Sequence, residues 1–326
     1  MNKQILLPIL LFAATHLGYA ATSVKALLEP FERSTILLIE IASKSGCPVP
    51  PLPPGCKLHI SGRVIRVLND AGRQGGLLGH FEADVTQTSR SGLSQTGWSL
   101  IHLEVGRQFV VCSHPSPSLT AMIEEPTWAG PVPVGEDFVG DLELMIGGAH
   151  RPVEDQISAV TLALIGATTP RSGELARYAV SLLAEAPRGD TVALSQAIES
   201  GGSALSASGK NTLLFSLWSE VRGQQVPAEN LLRLLVRVVA RYFVEAPANP
   251  GREEPDLRQQ IVRNQLPWIL GSEQAKAMLR TEVLPAVAEQ FRQAALTEKD
   301  SMAARFSPAD RETMKQLAEF IGQSRR

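Results

Sequence analysis

The sequence predicts a two-part β + α protein: a small β-barrel in the N-terminal part, then an all-α domain, a bundle or an irregular α-solenoid. Three observations carry this. Short alternating apolar runs with Gly- and Ser-rich turns occupy Ser34 to Glu124. Pro126, Gly130, Pro131, Pro133 and Gly135 then interrupt the chain. From Val153 onward apolar residues recur three and four apart, the helical period.

Ahead of both parts stands Met1-Asn2-Lys3-Gln4, then the largely apolar stretch Ile5 to Leu17, then Gly18-Tyr19-Ala20. A basic start, an apolar centre and small residues at the −3 and −1 positions make residues 1–20 a secretory signal peptide, cleaved after Ala20. About thirteen apolar residues are too few to span a bilayer, which takes about twenty. The expected location is the periplasm or outside the cell. The boundaries read as 1–20 signal, 21–124 β-barrel domain, 125–152 transition and 153–326 helical domain.

The expected strands follow in order. Ile36 to Ile41 is a short apolar run, and Leu58 to Leu68 alternates until Gly62 disturbs its register, as at a bend or bulge. His80 to Val85, Trp98 to Val105 and Gln108 to Cys112 complete the set. Val139 to Ile146 reads as one more strand or as a segment packing between the domains. The expected helices are Ile157–Ile165, Leu175–Leu183, Thr191–Ile198, Gly209–Val221, Ala228–Val244, Asp256–Leu270, Ser272–Val283, Pro285–Leu296 and Pro308–Ile321. Pro227 and Pro308 suit a first helical position, and Ser307-Pro308-Ala309-Asp310 has capping-box spacing with Asp for Glu.

Gly62-Arg63-Val64-Ile65-Arg66-Val67-Leu68 with Val105-Gly106-Arg107-Gln108-Phe109-Val110-Val111-Cys112 resembles the netrin-like modules of the OB-fold group. That group includes the inhibitory domains of tissue inhibitors of metalloproteinases. The resemblance implies an OB-like barrel over residues 34–124. It brings no inhibitory residues, because those inhibitors open on Cys-x-Cys and this processed chain opens on Ala21-Thr22-Ser23-Val24.

Composition narrows function. A net charge of −2 over 326 residues argues against a nucleic-acid partner, and no segment after the signal is apolar enough for a membrane span. Of three cysteines, Cys47 and Cys56 bracket a loop holding five prolines and are expected to form a disulfide; a free pair, or a bridge from either to Cys112, stays open. Cys112, in an apolar run, reads as a buried thiol.

Candidate chemistry is sparse. His80, Glu82 and Asp84 share one face of a strand, with His102 and Glu104 nearby, but parallel side chains do not converge on an ion. Cys112 and His114 are too close in sequence for a usual nucleophile and base. Gly201-Gly202-Ser203 through Gly209-Lys210-Asn211 lacks phosphate-loop spacing and its Ser or Thr, so no nucleotide is expected. No catalytic residue, cofactor or metal is assigned. Arg233, Arg237 and Arg241 form a stripe along the most strongly periodic helix, either a basic interaction face or a solvated face with Glu229 pairing Arg233. These features point to an exported, non-enzymatic interaction protein with a protein partner. An exported hydrolase, using the His80–Asp84 face or an interdomain cleft, and a protease inhibitor are the alternatives.

Overall fold

The computed structural model describes residues 24, 28, 35–46, 57–70, 79–86, 104–113, 128–132, 135–186, 191–200, 204–224, 228–246, 256–297 and 306–323. It divides into two compact units, one formed by Lys25–Val134 with Phe138–His150, the other mainly by Arg151–Arg326. Gly135–Asp137 and Val24 group with the second.

The first unit is a five-stranded antiparallel sheet of order β3-β2-β1-β4-β5. Its strands are β1 (Thr35–Ser45), β2 (Lys57–Asn69), β3 (His80–Thr86), β4 (Gln108–Ser113) and β5 (Trp128–Pro131). The central strand β1 is buried on both faces from Thr35 to Ile39, which explains its unbroken apolar run. Phe109, Val110 and Val111 of β4 pack beside it, paired with Ile39, Leu38 and Leu37. The bulge expected at Gly62 is present: Ile41 pairs with Gly62 and Ser43 with Ser61, leaving Ala42 as the extra residue.

Among the described residues the sheet is open, with β3 and β5 at its edges, so these strands do not close the expected barrel. Strand spacing reports how many strands form, not whether the last pairs with the first. Trp98 to Ile101, His102 and Leu103 lie outside the described residues, as do Cys47 and Cys56, while Glu104 to Gly106 form a turn end. β5 emerges from the expected transition; its terminal Pro131, with no N–H, fits an edge position.

Residues 139–146 are helical, not a strand. They belong to α1 (Phe138–Gly148), which buries Phe138, Asp141, Leu142 and Met145 at spacings of three and four. The apparent alternation of Leu142, Leu144 and Ile146 is secondary to that stripe. Arg66 of β2 joins Glu143 of α1 through Nη2 and Oε1 at 2.7 Å.

The second unit comprises α2 (Val153–Ile165), α3 (Gly173–Glu185), α4 (Val192–Ser200), α5 (Ala207–Gly223), α6 (Glu229–Glu245), α7 (Leu257–Gln260), α8 (Leu266–Gly271), α9 (Glu273–Glu282), α10 (Pro285–Thr297) and α11 (Pro308–Gln323). Ser172, Ser206, Asp256 and Ser272 each accept a backbone N–H at a helix start. At α11 the capping box is reciprocal: Asp310 N–H donates to Ser307 Oγ (3.1 Å) and Ser307 N–H to Asp310 Oδ2 (2.8 Å). Pro227 lies outside the described residues.

A π-helical turn, Ile261–Gln265, joins α7 to α8. Pro267 follows, with no N–H for the Arg263 carbonyl and a ring that would strike it, so the ladder widens; Leu266 N–H reaches Ile261 O. Helix α6 buries ten residues and is packed by α4, α5, α9 and α10. The rings of Phe243 and Phe291 stack at 4.0 Å in the core of this unit.

Candidate functional site

Each arginine of the α6 stripe is ion-paired, although Arg233 Nε lacks a well-directed hydrogen bond. Arg233 Nη2 lies 2.6 Å from Glu229 Oε1, the pair expected from their spacing, and its Nε lies 3.1 Å from Glu282 Oε1. Arg237 donates through Nε to Glu282 Oε2 (2.7 Å) and through Nη1 to Glu199 Oε2 (3.2 Å). Arg241 Nε donates to Glu245 Oε1 at 2.6 Å. The hydrogen bond from Arg237 to Glu282, with the Glu199 charge beside it, raises the guanidinium pKa further, against the cost of burial.

Three guanidiniums thus meet four carboxylates, and the stripe itself carries no excess positive charge. Glu282 ends α9 with its side chain only 12% exposed. A carboxylate at a helix C-terminus opposes the helix dipole, and the two arginines offset that. The stripe ties α6 to α4 and α9.

Of the strand row His80, Glu82 and Asp84, the side chains of the first two are described. His80 Nε2 and Glu82 Oε1 are 2.7 Å apart on edge strand β3, both side chains more than half exposed. Asp84 lies on the same strand, opposite His59, and its side chain is outside the described residues. Glu104 pairs instead with Arg107 at 2.7 Å. Among the described residues no three His, Cys, Asp or Glu side chains are grouped for a metal ion. Cys112 pairs through its backbone with Ile36 and Trp128 on either side, and His114 is outside the described residues. Lys210, from the glycine-rich stretch, sits in the first turns of α5 with its ammonium 5.5 Å from the Tyr242 ring centre. Burial lowers its pKa, with Glu245 opposing and Arg241 adding to the shift.

One surface feature escaped the sequence reading. Phe215, Trp218 and Arg222 follow at i, i+3 and i+7 on α5. Phe215 is 47% exposed, its ring 6.0 Å from the Trp218 ring and tilted 58° to it. The Arg222 guanidinium lies 5.1 Å over the Trp218 ring. The opposite side of α5 buries Leu213, Leu214, Leu217 and Val221. The signal was present: an aromatic pair on a helix whose apolar stripe was already complete without it.

Comparison with protein-family models, curated proteins and solved structures finds no match to this chain. The likeness to netrin-like modules rests on the residues quoted for it.

Proposed function

We propose that this is an exported binding protein without catalysis of its own, meeting a protein partner through the Phe215–Trp218–Arg222 strip of α5. The supporting observation is the strip itself: the exposed Phe215 and Arg222 flanking a half-buried Trp218, on a helix whose core face is filled. Tryptophan, arginine and large aromatics dominate the energetics of protein contacts, the rings by burying much area for little lost conformational freedom and arginine by directed hydrogen bonds and stacking. The matching surface is apolar at its centre. The arginine stripe of α6 supports this reading less, its charges being matched within the helical unit.

The test is affinity capture from an exported-fraction extract with three baits: the processed protein, Phe215→Ser and Arg222→Glu. Both substitutions sit at exposed positions. A species retained by the first bait and lost with both variants supports the assignment. Equal capture by all three overturns it.

A further inference from the structure

Lys210 stands one turn into α5, its backbone N–H donating to the Ser206 carbonyl at 2.9 Å. Helical side chains lean toward the N-terminus, so its ammonium lies near the positive end of the helix dipole, where a cation is disfavoured. The side chain is half-buried over the ring of Tyr242. That ring is buried, and its phenol oxygen has no hydrogen-bond partner among the described residues, so it takes no proton from the ammonium. The charged neighbours acting on Lys210 are Glu245 and Arg241, both of α6. The Glu245 carboxylate suits a cation but is already held by Arg241 Nε at 2.6 Å, and the Arg241 guanidinium repels a second positive charge. The Tyr242 face offers the ammonium some attraction. Burial, the helix dipole and Arg241 all act against it.

We propose that Lys210 is a nucleophilic amine that captures small aldehydes, holding them as imines where α5 meets α6. Its Nζ lone pair adds to the carbonyl carbon, the carbonyl oxygen leaves as water with both amine protons, and a C=N bond remains. Only the neutral amine has that lone pair, and the surroundings favour it: burial lowers the Lys210 pKa, Arg241 adds to the shift and Glu245 opposes it. A half-buried amine over an aromatic ring admits a small uncharged electrophile better than a bulky or charged one. The assignment does not involve the Phe215–Trp218–Arg222 strip and stands apart from the binding reading.

The test is labelling of the purified protein with acetaldehyde, each imine fixed by cyanoborohydride and the initial rate at every lysine read by peptide mass spectrometry. Lys276, paired with Glu273, and Lys315 are also half-buried and serve as internal controls. At pH 7 Lys210 is expected to react about three-fold or more faster than either. The advantage shrinks at about pH 10.4, where an ordinary lysine is half neutral. Arg241→Ala frees Glu245 for Lys210 and removes the neighbouring cation, so labelling of Lys210 slows. Glu245→Gln removes the carboxylate acting on Lys210, so labelling speeds. Greater access alone would speed it in Arg241→Ala, and the control lysines report any loosening of the fold. Labelling at pH 7 no faster than the controls overturns the proposal. So does an advantage undiminished at about pH 10.4, or a pair of variants that fail to move Lys210 in opposite directions.

Discussion

Gly62 sits where β2 crosses the bulge of β1, and a Cβ there would fall inside the Glu40 carbonyl oxygen while lying 3.3 Å from the Ile41 Cα. Backbone on a central strand cannot yield as a side chain can. Gly62→Ala is therefore expected to cost about 2 kcal/mol or more, the scale of an overpacked interior. Faster hydrogen exchange in peptides from β1 and β2 would register it; exchange as in the parent protein would contradict it. Asp310 carries two roles at another single position: it caps α11 through Ser307 and accepts from Arg263 Nε at 3.2 Å. Ser307→Ala removes half of the capping box and should cost about 1 kcal/mol. Asp310→Ala loses the cap and the ion pair together and should cost more, read as successive drops in urea midpoint. Both positions were visible in the sequence, as a broken alternation and as a Ser-x-x-Asp spacing. The Glu40 carbonyl and Arg263 were not, because contacts between distant segments leave no local trace.

Among elements, the four-residue spacing of Arg233, Arg237 and Arg241 hid three different situations. Arg237 bridges two other helices through Glu282 and Glu199, whereas Arg241 is ion-paired among the described residues with Glu245 of its own helix. Isolated exposed pairs within one helix contribute about 0.3–0.5 kcal/mol. Arg241→Ala should thus change stability little, while Glu282→Ala, which leaves two guanidiniums beside an apolar interface, should cost about 1–3 kcal/mol. Thermal unfolding of the two variants decides it; equal shifts would mean that the stripe is only a solvated face. The nine helices read from spacing were legible because each has a complete apolar stripe, several with a Ser or Asp cap in front. Segment 139–146 was misread because it is short and its glycines dilute the period; only the buried Phe138, just before it, completes the i, i+4, i+7 set. The π turn carried its own warning in Pro267, four residues after Arg263. The Phe215–Trp218 strip was passed over because sequence alone does not say which of two apolar helix faces finds a partner inside the fold.

For the molecule as a whole, the composition break between residues 125 and 152 places the division of the chain only roughly. That segment contains both β5 and α1, and the two units part near His150 and Arg151, after α1. The cut point can be argued from magnitudes. A sheet fragment ending at Val134 would lose Phe138, Leu142 and Met145, all buried in α1. Each such side chain contributes about 1.5–3 kcal/mol on burial, and together they rival the ~5–15 kcal/mol that holds a whole domain. The fragment Lys25–His150 keeps them and should unfold cooperatively, whereas Lys25–Val134 should not. A helical fragment Arg151–Arg326 loses the hydrogen bond from Val24 N–H to Glu185 Oε1 and the Asp137 partner of Arg171, whose carboxylate is 42% exposed. Arg171 itself is only 16% exposed, so losing this partner costs about 1–3 kcal/mol. This fragment should retain helical circular dichroism and a single urea transition. If Lys25–Val134 unfolds as sharply as Lys25–His150, α1 is not part of the sheet unit's core. If Arg151–Arg326 shows no cooperative transition, the helical unit depends on the first 150 residues.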